Sequence, residues 1–275
     1  MSAESEATRA GGVWPEVELA PGTLAIADTH LDAGPSAPPA LEFEAFLERA
    51  RTAPRLVILG DLFDAWVGPA HAELAGARRV LDALASLVRA GTSLDIVHGN
   101  RDFLLEESFE RRTGARVHPA GLIGHCGGVR TLLVHGDELC TLDHGYQRLK
   151  RALRCAPIRW LAPRLPRPLS LAAARRLRSA SVKAVAEKPP ESKRQQRSAA
   201  TALAMAAGAR QLVVGHAHQF RDEDDGALRW IVLDAFGGAR DCLRWGPDGA
   251  VEAVSSAGAS RSPGPPVHSP PPCNP

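Results

Sequence analysis

Sulfur and aromatic rings are scarce in this chain of 275 residues, which has five cysteines, two methionines, one tyrosine and an aromatic fraction of 5%. The cysteines (Cys126, Cys140, Cys155, Cys242, Cys273) are odd in number and form no C-x-x-C pair. That excludes a thiolate zinc site and a disulfide framework, and it suits a reducing cytoplasm. No apolar run approaches the roughly 18 residues that a membrane-spanning helix needs. Residues Met1 to Gly22 mix charges with small residues and lack the apolar core of a signal peptide.

Acidic residues are almost missing from one segment. Between Arg148 and Arg197 stand 15 Lys and Arg against two acids, Glu187 and Glu191, although the whole chain carries a net charge of only +2. A basic segment on an acidic body fits an anionic partner: a phospholipid surface, a nucleic acid or a phosphorylated substrate. Single-stranded nucleic acid would need stacking rings, and only Trp160 within the segment and Tyr146 just before it could serve, so no nucleic acid is expected. The sequence points to no obligate protein partner.

What is present is an alternation. Short aliphatic or β-branched runs at Thr23–Ala27, Leu56–Leu59, Leu94–Val97, Arg130–Val134, Leu212–Val214, Leu228–Leu233 and Cys242–Trp245 read as strands. Helical spacing separates the early ones over Leu41–Arg51, Glu73–Ala90 and Asp102–Thr113. The pattern predicts an α/β sandwich (α+β in its later part) around mixed sheets, in one domain over residues 22–254. Residues 1–21 are expected to be a disordered extension and 255–275 a disordered Pro/Ser/Gly-rich tail, for want of large apolar side chains. Residues 143–207 interrupt the alternation as an inserted helical cap, with helices at Tyr146–Leu153, Ile158–Leu161, Ala172–Lys188 and Ser192–Ala206. Its leucines lie among arginines, as in a segment resting on an anionic membrane, although packing of those leucines on the main domain would give the same pattern.

Each strand run of interest ends on a polar motif: Asp28-Thr29-His30, Gly60-Asp61, Gly99-Asn100-Arg101-Asp102, Val134-His135-Gly136-Asp137 and Gly215-His216-Ala217-His218. Carboxyl ends of strands are where ligands gather in such sheets. Alone, D-x-H or G-D means little, since a carboxylate at a strand end is often a helix cap. Together the five bring carboxylates, an amide and imidazoles to one sheet edge, the oxygen and nitrogen donors of divalent cations. In a regular strand His216 and His218 would share one face and a common partner.

The set resembles the calcineurin-like binuclear metallophosphoesterases, whose pattern is D-x-H, G-D, G-N-[HR]-[DE], G-H and G-H-x-H, from about Leu24 to Trp245. The resemblance implies a metallophosphoesterase-type four-layer fold, with two mixed sheets flanked by helices and a cap. It implies that Asp28, His30 and His218 hold one metal, that Asn100, His135 and His216 hold a second, and that Asp61 bridges them. Two cations about 3.5–4 Å apart can clamp attacking and departing oxygens and activate water near neutral pH. Longer stretches, Gly60-Asp61-Leu62-Phe63-Asp64-Ala65-Trp66, His98 to Leu105 and His135 to Thr141, are similar to the UDP-2,3-diacylglucosamine diphosphatase family of lipid A synthesis. Membership would imply two Mn²⁺ ions and cleavage of that glycolipid's pyrophosphate to UMP and 2,3-diacylglucosamine 1-phosphate. It would also imply a peripheral position on the cytoplasmic face of the inner membrane. Substrate contacts would fall to Asn100, Arg101, His216 and, by spacing, Asp143, Ser181 and Lys188, although Val185 and Pro189-Pro190 depart from the family pattern.

Arg101 bears on the substrate class by its chemistry. Where relatives carry a proton-donating His, a guanidinium stays charged and gives up no proton. A phosphate monoester with a second pKa near 6 leaves unprotonated at neutral pH and needs only its charge neutralised. Pairing of Arg101 with Asp102 is the plainer expectation. Other readings are a metallophosphoesterase for soluble dinucleotides or cyclic nucleotides, and a metal-stabilised scaffold without activity.

Overall fold

In the computed structural model of the chain, the described residues are 14–34, 40–66, 68–166, 168–173, 176 and 190–258. Twelve strands form two six-stranded mixed sheets. One has the order β12-β11-β2-β3-β4-β5, comprising Val251–Val254, Cys242–Trp245, Leu24–Ile26, Arg55–Leu59, Ser93–Val97 and Arg116–His118. Its β2, β3, β4 and β5 run parallel, the signature of strand–helix–strand crossovers. The other has the order β1-β6-β7-β8-β10-β9, comprising Glu16–Glu18, Leu122–Cys126, Val129–Leu133, Gln211–Val214, Arg229–Val232 and Arg221–Asp224.

Three apolar clusters separate four layers. Helices α1 (Leu41–Ala50), α2 (Ala75–Arg89) and α3 (Glu107–Thr113) bury Phe43, Phe46, Leu81, Leu84 and Phe109 against Ile26, Leu56, Ile58 and Ile96 of the first sheet. Between the sheets lie Ala25, Val57, Leu59, Leu133, Val213, Ile231, Leu243 and Trp245. Beyond the second sheet, Ala200 and Ala204 of a further helix, Arg197–Ala206, pack on Leu212, Val214 and Trp230. Each fully buried aliphatic side chain contributes about 1.5–3 kcal/mol, so the stacking of layers rather than helix propensity holds the sandwich.

The structure departs from expectation in three places. Residues 14–21, expected inside a disordered extension, are ordered: Glu16–Glu18 pairs in parallel with Ile123–His125, and Val17 and Leu19 are buried between the sheets. Residues 1–13 and 259–275 lie outside the described residues. The helix expected from Asp102 begins only at Glu107, because the Asp102 side chain is engaged elsewhere. The inserted segment does not stay a cap as far as residue 207. Helices α4 (His144–Leu153) and α5 (Ala156–Leu161) cover the site end, whereas Arg197–Ala206, α6 in chain order here, is the fourth layer of the sandwich.

Candidate metal centre

Strands β2, β3, β4, β7 and β8 all end at the same rim, and the chain turns sharply at each end. Asp28, His30, Asp61, His216 and His218 have φ of 54°, 46°, 50°, 68° and 54°. Left-handed backbone at such residues costs about 1–3 kcal/mol each, which surrounding structure must hold in place. That conformation turns each side chain away from the direction a regular strand would give it and aims it into the rim. Glycines are needed where the ends crowd together. A Cβ on Gly99 would lie 2.2 Å from the Asp61 nitrogen and Oδ1, and one on Gly215 would lie 2.5 Å from Asp28 Oδ2.

The donors fall into two groups. Ligand atoms of Asp28, His30 and His218 lie within 4.8 Å of one another, as do those of Asp28, Asp61 and His135. His30 Nε2 and His218 Nε2 are 3.0 Å apart, and His218 Nε2 is 3.5 Å from Asp28 Oδ1. On the other side His135 Nε2 stands 3.0 Å from Asn100 Oδ1, 3.2 Å from His216 Nδ1 and 3.8 Å from Asp61 Oδ1. The two histidines after β8 therefore diverge. His216 turns to His135 and His218 to His30, because β8 has already ended at Val214 and no strand face is shared.

Do these residues fit a pair of cations? Asp28 Oδ1 and His30 Nδ1 are buried without a hydrogen bond, an arrangement that costs about 1–3 kcal/mol per group unless something else satisfies it. His135 Nδ1–H donates to the Leu59 carbonyl at 2.8 Å, which fixes the tautomer and aims the Nε2 lone pair at the cluster. Burial holds His30 and His216 neutral, both lowered to about 4, the form of imidazole that ligates. Burial raises Asp61 to about 7; His135, which burial alone would lower, is pushed up to about 9 by the charges of Asp61 and Asp28. Buried carboxylates and imidazole thus compete for protons, a conflict that divalent cations remove by standing in the protons' place. The donor set fits divalent metal.

Around the donors, Arg101 does not pair with Asp102. Its Nε lies 3.5 Å from Asp61 Oδ2 and its guanidinium 3.5 Å from Asp64 Oδ1. Asp102 is fully buried and accepts from the Gly99 nitrogen at 2.8 Å and the Leu62 nitrogen at 2.7 Å, binding the β3 and β4 loops together. Asp143 caps α4, its Oδ1 accepting from the Tyr146 nitrogen at 2.9 Å. Ser181 and Lys188 lie outside the described residues.

Several working contacts escape a sequence reading. Asp137 is buried and receives the Tyr146 hydroxyl and the Lys150 ammonium, the latter at 2.8 Å. Arg154 donates to the Gly99 carbonyl at 2.9 Å. Helix α4 is in this way tied to the loops that carry His135 and Asn100. The spacing Tyr146-Lys150-Arg154, one face of a helix at i, i+4, i+8, is the only signal that could have flagged it.

Two facing mixed sheets with this donor set at their shared rim define a metallophosphoesterase. No protein-family model matches the chain. A UDP-2,3-diacylglucosamine hydrolase of Ralstonia nicotianae is 36% identical over 250 residues, covering 84% of this chain and 90% of that protein. One from Aeromonas salmonicida is 39% identical over 204 residues, covering 72% and 77%. The chain belongs to the UDP-2,3-diacylglucosamine hydrolase family. Among solved structures, zinc-bound Vps29 of Entamoeba histolytica aligns over 84% of this chain and 95% of its own at 15% identity, with a TM-score of 0.39, too remote to carry weight.

Proposed function

We propose that this enzyme cleaves the pyrophosphate of UDP-2,3-diacylglucosamine to UMP and 2,3-diacylglucosamine 1-phosphate. The observation that carries the reading is the convergence of seven donors beside a fixed guanidinium, in a chain whose relatives are named for this substrate. Asp28, His30 and His218 would hold one ion and Asn100, His135 and His216 the other, with Asp61 between them. The mixed oxygen and imidazole set suits Mn²⁺. Bound cations supply Lewis acidity to a phosphoryl oxygen and lower the pKa of water.

The chain's own residues do the rest. Asp61 and Asp64 hold the Arg101 guanidinium beside the donors, where it can meet a pyrophosphate bidentately and offset the charge on the departing phosphate. No side chain need protonate that group at neutral pH. Asn100, through its Nδ2 amide, and His216 would contact the same phosphates, and Asp143 at the head of α4 would contact the sugar. The apolar side chains of the cap support a diacylated substrate and a peripheral place on an anionic membrane. Leu149, Trp160, Leu161 and Leu169 are 51%, 62%, 52% and 57% exposed. Leu171 and Ala162 do pack on the α1–α3 core, so the cap is anchored by some apolar residues and presents others outward. No helix among the described residues is long and apolar enough to cross a membrane.

Purified protein with Mn²⁺ and UDP-2,3-diacylglucosamine in detergent micelles is expected to release UMP, with little turnover of soluble dinucleotides or cyclic nucleotides. Release from soluble substrates at equal or higher rates, with none from the glycolipid, would overturn the assignment.

A further inference from the structure

Where the inserted segment rejoins the sandwich, just before α6, one buried amide touches both loops of the His135–His216 half of the centre. Gln195 is 5% exposed, and its Nε2 donates to the Gly215 carbonyl at 2.9 Å and the Gly136 carbonyl at 3.2 Å. An amide nitrogen has two protons, so both are used. Its Oε1 accepts from the Arg221 guanidinium at 3.2 Å. Arginine can only donate, which settles which end of the amide faces the carbonyls. Arg221 is itself steadied, 4.6 Å over the Trp230 ring, and the next residue is fastened through Gln196 N–H to the Leu139 carbonyl at 2.8 Å.

Both carbonyls belong to peptides adjoining the donors. The Gly215 carbonyl is in the peptide that leads into His216, whose φ is +68°, so fixing that peptide plane fixes the left-handed turn. The Gly136 carbonyl is one residue beyond His135, at a glycine with φ +103°. A Cβ there would lie 2.6 Å from Gln195 Nε2, so the amide fills the space a side chain would take. The Gly215 nitrogen also donates to the His135 carbonyl at 2.9 Å. No described hydrogen bond joins Gln195 itself to Asp28, His30 or His218; its one route to that half is the N–H of the same Gly215–His216 peptide, which donates to Asp28 Oδ2 at 2.7 Å.

We propose that Gln195 is a positioning residue chiefly for one of the two ions, setting the separation and aim of His135 and His216 through their backbones and reaching the His30–His218 half only through the His216 N–H on Asp28. The inference rests on the metal reading above. Outer partners of this kind typically change metal affinity by about 10–100-fold when removed.

The test is a Mn²⁺ titration of the chelator-stripped full chain by calorimetry and electron paramagnetic resonance. The wild type is expected to take two ions and give a spin-coupled pair. Gln195→Met keeps volume and removes both donors; Gln195→Glu keeps shape and turns an acceptor towards two carbonyls. Both are expected to bind one ion about 10–100-fold more weakly and to weaken the other far less, so that isolated Mn²⁺ replaces the coupled signal at low loading. Two ions at wild-type affinity in Gln195→Met, or equal weakening of both ions in a protein with an unchanged circular dichroism spectrum, overturns the proposal. If neither variant folds, Arg221→Met decides: it leaves the amide but removes its orienting partner, and must weaken the same ion by a smaller factor. No shift there overturns the proposal too. A wild type that binds no pair sinks the reading of the centre itself, a result distinct from a pair that ignores Gln195.

Discussion

Five of the seven donors sit on backbone that most side chains avoid, and their neighbours show what that geometry requires. Gly99 and Gly215 leave room for turns packed against carboxylates, Gly60 leaves room for the Gly99 backbone and the His135 ring, and Asp102 spends both oxygens on backbone nitrogens of two loops. Within this frame Arg101 is the residue that most distinguishes the chemistry. Its guanidinium, held by Asp61 and Asp64, supplies charge and no proton. Arg101→His is expected to lower turnover of the diphosphate by about 10²-fold, the scale of losing one preorganised charge-stabilising donor. Cleavage of a phosphodiester with a poor leaving group should fall less or rise. Comparing the two rates in one preparation checks this. That these seven side chains meet at one rim was legible because each motif ends an apolar run. Gln195 and Arg154 were not, since they meet backbone carbonyls that only folding brings near, and Asp137, though it stands in a marked motif, gave no sign of its partners Tyr146 and Lys150.

Among the elements, seven strands and the cores of α1 and α2 could be read from aliphatic runs and helical spacing. The strands that escaped are mostly at sheet edges: β1 is Glu-Val-Glu, β9 is Arg-Asp-Glu-Asp and β5 is Arg-Val-His. An edge strand is held by main-chain pairing to one neighbour and needs little apolar area, so composition does not betray it. One such edge carries a polar lace. Asp95 of β4, fully buried, accepts from His118 of β5 at 2.7 Å and from Arg55 of β3. Burial alone would raise its carboxyl, but the His118 hydrogen bond and the Arg55 charge hold it below the ordinary 3.8. A lowered folded pKa stabilises above the unfolded value, and the gain disappears as pH falls through the folded value. Asp95→Asn should cost about 1–3 kcal/mol at pH 7, because the half-buried Arg55 loses its countercharge and keeps only its bond to the Glu18 carbonyl. The gap from wild type should narrow below about pH 3.8, as urea unfolding across pH would reveal.

For the molecule as a whole, the asymmetry of charge lies over the site. Helices α4 and α5 present Leu149, Trp160 and Leu161 outward beside Arg148, Arg151 and Arg159. Such a surface gains from apolar burial and from anionic lipid together, about 1 kcal/mol per basic residue near the surface. Weak binding to vesicles containing anionic lipid is expected, falling as salt rises. Sedimentation with vesicles should show Trp160→Ser with Leu161→Ser losing most of it, and equal binding to neutral vesicles would contradict the idea.

The rim where the strands end draws Asp28, His30, Asp61 and Asn100 from one sheet and His135, His216 and His218 from the other. A loaded centre would therefore rivet two leaves of the protein that are otherwise joined there by apolar packing and a few hydrogen bonds, such as those of His135 to the Leu59 carbonyl and of the His216 N–H to Asp28. Ions that bind only the folded chain stabilise it by mass action, about 2.7 kcal/mol at a hundredfold excess over their dissociation constant. Stripping them should lower the melting temperature and loosen amide protection first at the ends of β3 and β7, so that scarcity of metal would cost the cell the protein itself as well as its turnover.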